Sequence, residues 1–252
     1  RSESDSKPGR VNSWAGKFAK KIAISYPDSA QYFDQKKVAL TGCPIRRDII
    51  MPLNQGAHEF LNLDQSLPTI FVMGGSQGSE KINDLIIDSA PALLKFCQVI
   101  HQTGRAKFDT VKQTMSVVLK DDPNSSRYKP FDYMNDLAIR MASGASSLVV
   151  SRAGSTIFEI AAWKLPSIII PLPESVSHDQ TKNAFSYARR GACVVIEEKN
   201  LASHIFVSEV QRILGNPKVQ ETMSSAAASF TQLDSASKIA RVLLDQALEH
   251  EA

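Results

Sequence analysis

Residues 147–173, SLVVSRAGSTIFEIAAWKLPSIIIPLP, hold two short apolar runs separated by a glycine turn and a helical stretch. Leu148, Val149 and Val150 show no polar alternation, which predicts a strand covered on both faces. Arg152-Ala153-Gly154 supplies the turn, and Ser155 or Thr156 is placed to cap the helix that follows. Ile157, Phe158, Ile160 and Ala161 then point inward, Pro166 ends the helix, and Ser167 to Ile170 form a second buried strand. Two such strands joined by a helix must run parallel, with a right-handed crossover. The chain is thereby committed to an α/β fold with a doubly wound, Rossmann-like parallel sheet.

The turn between these strands also has chemistry. A helix N-terminus carries roughly half a positive charge and leaves backbone N–H groups without partners, so it suits an anion. Ser155 and Thr156 add two hydroxyls, and Glu159, one turn in, is placed to accept hydrogen bonds from sugar hydroxyls. Gly-Ser-Thr at a strand–helix turn also arises from capping alone, so the loop gains meaning only with the rest of the chain. With it, the expectation is a loop that holds the diphosphate of a sugar nucleotide.

With 43% hydrophobic residues in 252, the chain can bury one large core or two small ones. A net charge of +3 excludes a general polyanion binder, and no nucleic-acid partner is expected. Residues 1–47 are locally basic, with ten Lys or Arg against four Asp or Glu. A solvated face explains that as well as contact with phosphates or an anionic membrane surface. Cys43, Cys97 and Cys193 match no zinc spacing and read as buried free thiols of a reducing compartment. No run of about 18 apolar residues is present to span a bilayer, and the polar start, RSESDSKPGR, does not resemble a signal peptide. A cytosolic protein is the simplest expectation.

In chain order, Val11, Trp14, Ala15, Phe18, Ala19 and Ile22 recur at helical spacing, predicting an amphipathic helix over 11–22 packed on a sheet. Ile22–Ser25 and Val38–Leu40 read as strands, and this opening reads as the tail of a domain that begins upstream. Regular alternation follows: strands at 69–73, 98–101, 128–131, 148–150, 167–170 and 193–196, with helices between them and three more near 202–214, 218–230 and 236–248.

A second glycine loop, Gly74-Gly75-Ser76-Gln77-Gly78, follows a strand and opens a helix, a place where backbone can approach a phosphate. It lacks the first glycine of the dinucleotide fingerprint, and the next strand ends in Val99-Ile100-His101-Gln102 without an acid for a ribose. There is no Gly-x-x-x-x-Gly-Lys-Ser/Thr loop for an ATPase of that type. No Asp-x-Asp pair offers a divalent ion a place on a diphosphate, so no metal and no cofactor are expected. Both glycine loops should converge at the carboxyl edge of one sheet. A third candidate, residues 177–183, starts a helix at that edge; Gln180 and Asn183 lie three apart on one face, and amides suit sugar hydroxyls. His101 and His178 are the possible general bases, though neither has a nucleophile partner at a recognisable motif.

Residues 41–46 (TGCPIR), 73–78 (MGGSQG), 101–104 (HQTG), 151–156 (SRAGST) with Glu159, and Gln180 with Asn183-Ala184 occur in order. Together they resemble the C-terminal half of the MurG family of bacterial peptidoglycan glycosyltransferases. Glu3-Ser4-Asp5 with Pro8-Gly9 and Asn12 is similar to a segment near the end of that family's N-terminal domain. The resemblance implies the C-terminal domain of a GT-B fold, with three parts: 1–40, the end of an acceptor domain and linker; 41–235, the UDP-sugar domain; and 236–252, a helix crossing back. It implies an inverting transfer of N-acetylglucosamine from UDP-GlcNAc to undecaprenyl-diphospho-muramoyl-pentapeptide, that is, lipid I to lipid II. The acceptor would be held by an N-terminal domain that also supplies the base, and the enzyme would sit on the cytoplasmic face of the cell membrane. Residue by residue, it places Arg46 near the nucleotide and Gly75 and Ser76 at a phosphate. Phe131 or Asp132 would meet uracil through backbone atoms. Gly154, Ser155 and Thr156 would hold the diphosphate, Glu159 the ribose, and Asp179, Gln180 and Asn183 would face the sugar. The chain departs from the family at Ser2, where His is usual, at Asp179, where Gln or His is usual, and in the 154–159 loop, which is one residue shorter. A binding subunit of a split transferase and a UDP-sugar epimerase of the same fold are the alternatives.

Overall fold

Two parallel sheets organise the chain in a computed structural model, which describes residues 1–75, 78–177 and 179–251. The smaller comprises β1 (Ser2–Glu3), β2 (Ile22–Ile24) and β3 (Val38–Leu40), in that order, with α1 (Arg10–Gly16) between the first two. A linker with the short helix α2 (Ala57–Phe60) leads to the larger sheet. There β4 (Thr69–Met73), α3 (Glu80–Leu93), β5 (Gln98–Gln102), α4 (Phe108–Val118), β6 (Tyr128–Phe131) and α5 (Asp136–Ala145) alternate. They are followed by β7 (Leu148–Ser151), α6 (Thr156–Trp163), β8 (Ser167–Ile169), α7 (Gln180–Ala188) and β9 (Cys193–Val195). Three helices, α8 (Ser203–Leu214), α9 (Pro217–Phe230) and α10 (Ser235–Glu251), complete the chain.

The order across the large sheet is β6-β5-β4-β7-β8-β9, all parallel. The chain therefore builds outward from β4 in one direction, then returns to β4's other side at β7. This reversal is the switch point at which ligands bind in such sheets, outside the strand carboxyl ends. Every residue of β4, β5 and β7 is buried, as unalternating apolar runs require. On one face Phe71, Ile100 and Val149 pack under Ile157, Ile160 and Trp163; on the other, Val72, Val99 and Val150 pack under Ile82, Ile86 and Phe206.

The small sheet is fastened to the large one by an aromatic cluster. Tyr26, just after β2, meets Phe158 of α6 and Phe230 of α9 edge-on, with ring centroids 5.1 and 5.6 Å apart. The α10 residues Ile239, Val242 and Leu243 line, with Ile22, Ala23 and Ala39, an apolar cavity of about 210 Å³. Where the linker meets the start of α10, Gly42 has φ +77°, and a Cβ there would lie 2.6 Å from the Ser235 hydroxyl, so no larger residue fits.

One element differs from the sequence pattern. The helix expected over 11–22 ends at Gly16. Ile22 is buried, but as the first residue of β2, where its N–H donates to the Lys37 carbonyl. The Phe33 ring lies against Gly16, 2.7 Å from where a Cβ would stand. Val11, Trp14 and Phe18 are 69%, 65% and 73% exposed, so the apolar stripe is not packed on the sheet. Three of the six positions, Val11, Trp14 and Ala15, lie in α1, and the sixth, Ile22, fell into phase from the next strand.

Candidate functional site

The loops after β4 and β7 flank the switch point. In the first, Gly75 has φ +88° and Gly78 has φ +76°; a Cβ on Gly78 would stand 2.1 Å from the Thr103 carbonyl oxygen, so the loop is pressed against the end of β5. Ser79 ends it as the cap of α3, its hydroxyl accepting from the Ile82 N–H. Ser76, expected at a phosphate, lies outside the described residues, as does His178.

The loop after β7 is less committed. Ser155 occupies the N-cap position of α6, but with helical angles and no side-chain cap, contrary to the capping expected of it or of Thr156. An N-cap side chain reaches forward only from extended backbone; at φ −59° and ψ −20° it cannot. The backbone N–H groups of Gly154, Ser155 and Thr156 donate to no acceptor among the described residues. A Cβ on Gly154 would meet no atom within 4 Å. Three consecutive N–H groups, two hydroxyls and open space thus coincide at a helix N-terminus, an arrangement able to take an anion with oxygens to share.

Glu159 lies one turn into α6. Burial, the larger cause, raises its carboxyl above the ordinary range, while the Arg46 guanidinium opposes that shift. Arg46 reaches it at 3.4 Å and holds Asp136, the first residue of α5, at 2.9 Å. The structure therefore brings together Arg46 from the linker and Glu159 of α6, which lie 113 residues apart. Phe131 ends β6 half-buried. Its carbonyl is already engaged, accepting from the Thr103 N–H at 2.9 Å and hydroxyl at 3.2 Å.

The third candidate divides. The Gln180 Oε1 accepts from the N–H groups of Ala153 and Leu172, at 3.2 and 3.1 Å, tying the start of α7 to the β7 and β8 loops. Asp179 is the N-cap residue beside it. Asn183 does not face a sugar, as the resemblance implied it would. It is buried, its Nδ2 donates to Asp5 Oδ1 and to the Ala153 carbonyl, and its Oδ1 accepts from the Ser6 N–H. Both ends of its amide serve the join between the small sheet and the β7 loop, a role invisible in sequence because its partner Ser6 lies 177 residues away. His101 is no general base: it is fully buried between the Tyr128 hydroxyl and Asn83 Oδ1, and burial lowers its pKa to about 3.

Arg152 went unmarked in the sequence beyond its place in the turn. It is 8% exposed and sits beneath both glycine loops. Its Nε and Nη2 donate to the Ser79 hydroxyl at 3.1 and 2.6 Å, and its Nη1 to the carbonyls of Ile170 and Pro171 at 3.1 and 3.3 Å. Nη2 also pairs with Glu198 Oε1 at 2.5 Å. An arginine closing an apolar strand run, where a buried charge demands partners, is the signal that marks it.

Residues 69–240 match the glycosyltransferase family 28 C-terminal domain. A relative from Thermodesulfovibrio yellowstonii, named UDP-N-acetylglucosamine–N-acetylmuramyl-(pentapeptide) pyrophosphoryl-undecaprenol N-acetylglucosamine transferase, is 32% identical over 95% of this chain and 64% of its own length. A protein of the same name from Treponema denticola is 33% identical over 90% of this chain and 61% of its own. Among solved structures, MurG of Acinetobacter baumannii superposes with a TM-score of 0.73 at 20% identity, covering 97% of this chain and 65% of that one. The chain thus spans less than two thirds of the length of these proteins.

Proposed function

The chain belongs to glycosyltransferase family 28, and from that premise we propose that it is the donor-binding half of an inverting hexosyltransferase. It takes UDP-GlcNAc and passes N-acetylglucosamine to undecaprenyl-diphospho-muramoyl-pentapeptide, the reaction after which its curated relatives are named. One observation carries the reading: three N–H groups and two hydroxyls without a partner among the described residues, at the α6 N-terminus and the switch point of the sheet.

In this reading the diphosphate lies over Gly154, Ser155 and Thr156, with Gly75 on its other side. Glu159 accepts from the ribose hydroxyls, held in place by Arg46, and the backbone at Phe131 and Asp132 borders uracil. Asp179 and the Gln180 amide nitrogen meet the sugar. Asn183, whose amide is already engaged, positions the β7 loop and does not touch the sugar. As the acceptor hydroxyl attacks the anomeric carbon, the C–O bond to UDP breaks and negative charge grows on the diphosphate. N–H dipoles fixed in advance at that point lower the barrier, each by about 3 kcal/mol when judged from oxyanion holes. The acceptor and the catalytic base are assigned to an N-terminal domain of which residues 1–40 form the end. The lipid-linked acceptor places the work at the cytoplasmic membrane face. Among the described residues no helix is long and apolar enough to cross a membrane.

Calorimetry with UDP-GlcNAc tests the reading. The chain binds in buffer containing EDTA, and Glu159→Ala weakens binding about tenfold, the loss expected for hydrogen bonds to a charged group. Unchanged affinity in that variant removes the ribose role, and absence of binding by the native chain removes the proposal.

A further inference from the structure

We infer that Arg152 is a positioning residue that sets the spacing of the two glycine loops, and through it the affinity for a diphosphate. The inference rests on the donor-site reading above.

A guanidinium has five N–H donors in a rigid fork. Here four hydrogen bonds are made, two to Ser79 and one each to the Ile170 and Pro171 carbonyls, and Glu198 forms an ion pair with Nη2. The guanidinium is thus committed to the protein's own oxygens, and Arg152 acts through the segments it joins. What it does is bolt together the carboxyl ends of β4, β7, β8 and β9, four consecutive strands of the sheet. Ser79 closes the Gly74–Gly78 loop and Arg152 opens the Gly154–Thr156 loop. Their contact is a direct side-chain bridge between the two proposed phosphate-binding segments. The site is desolvated, with side-chain exposures of 10% for Arg152 and 18% for Glu198, so the charge pair is little screened. Rigid placement of donors, and not their number, determines how well a small anion is held. Lysine has three donors radiating from one point and cannot span acceptors on three separate loops.

The test measures UDP and uridine binding by NMR titration of the native chain and of Arg152→Lys, with circular dichroism to establish folding. Loop spacing matters to the diphosphate and not to the nucleoside. The expected result is a UDP dissociation constant about tenfold higher in Arg152→Lys, with uridine affinity unchanged. An unchanged UDP affinity in folded Arg152→Lys overturns the inference, as does an equal loss for UDP and uridine. Should that variant fail to fold, Glu198→Ala, which removes only the ion-pair partner of Arg152, decides: a UDP-selective loss of about threefold supports the bolt, and wild-type UDP affinity overturns it. A native chain that binds no UDP overturns the donor reading itself and is distinguishable from all of these.

Discussion

All five residues of β4 are buried, whereas β3, equally free of polar alternation, leaves Ala39 and Leu40 exposed. The large sheet has helices over both faces, and its strands stack into two apolar layers. The small sheet has three strands of two or three residues and depends on contacts with its neighbour: the Tyr26–Phe158–Phe230 rings, α10, and the amide of Asn183. The same strand–helix alternation thus gives a self-sufficient core in one region and a dependent one in the other. The difference lies in cover, since a strand reads as buried in sequence whatever lies above it in space.

Asn183→Ala is the severest way to break this comparison. It leaves Asp5, the Ser6 N–H and the Ala153 carbonyl without their partner, at a cost of about 3 kcal/mol. The loss should be regional: hydrogen exchange in residues 1–40 accelerates while β4 and β7 keep their protection. Uniform acceleration, or none, contradicts a dependent small sheet. Trp14→Ser sharpens the contrast from the other side. The helical pattern alone makes Trp14 a core residue, whose loss costs about 3–5 kcal/mol. At 65% exposure the change should stay within about 0.5 kcal/mol. Denaturant titration of this chain separates the two values.

What was legible in the sequence follows from the range of the forces involved. Apolar runs such as 69–73 and 148–150 locate strands because burial is imposed residue by residue, and the glycine turns locate the loops. The turn and helix start at 154–156 were visible because helix-end geometry is local. The partners of Asn183 and Arg152 were not, because they lie on other elements: Ser79 is 73 residues from Arg152 in the chain. The helix at 11–22 misled because periodicity cannot tell a stripe facing a core from one facing solvent. The capping expected of Ser155 or Thr156 failed for a related reason: composition names a good cap, but backbone angles decide whether it caps.

The central claim is that backbone N–H groups at the switch point hold a diphosphate. It is tested most directly by the amide spectrum of the ¹⁵N-labelled chain during titration with UDP in the presence of EDTA, and with uridine for comparison. The account predicts that the Gly154, Ser155 and Thr156 amides move furthest with UDP and little with uridine. If those three signals stay fixed while UDP shifts residues elsewhere, the diphosphate binds at another place and the account is contradicted.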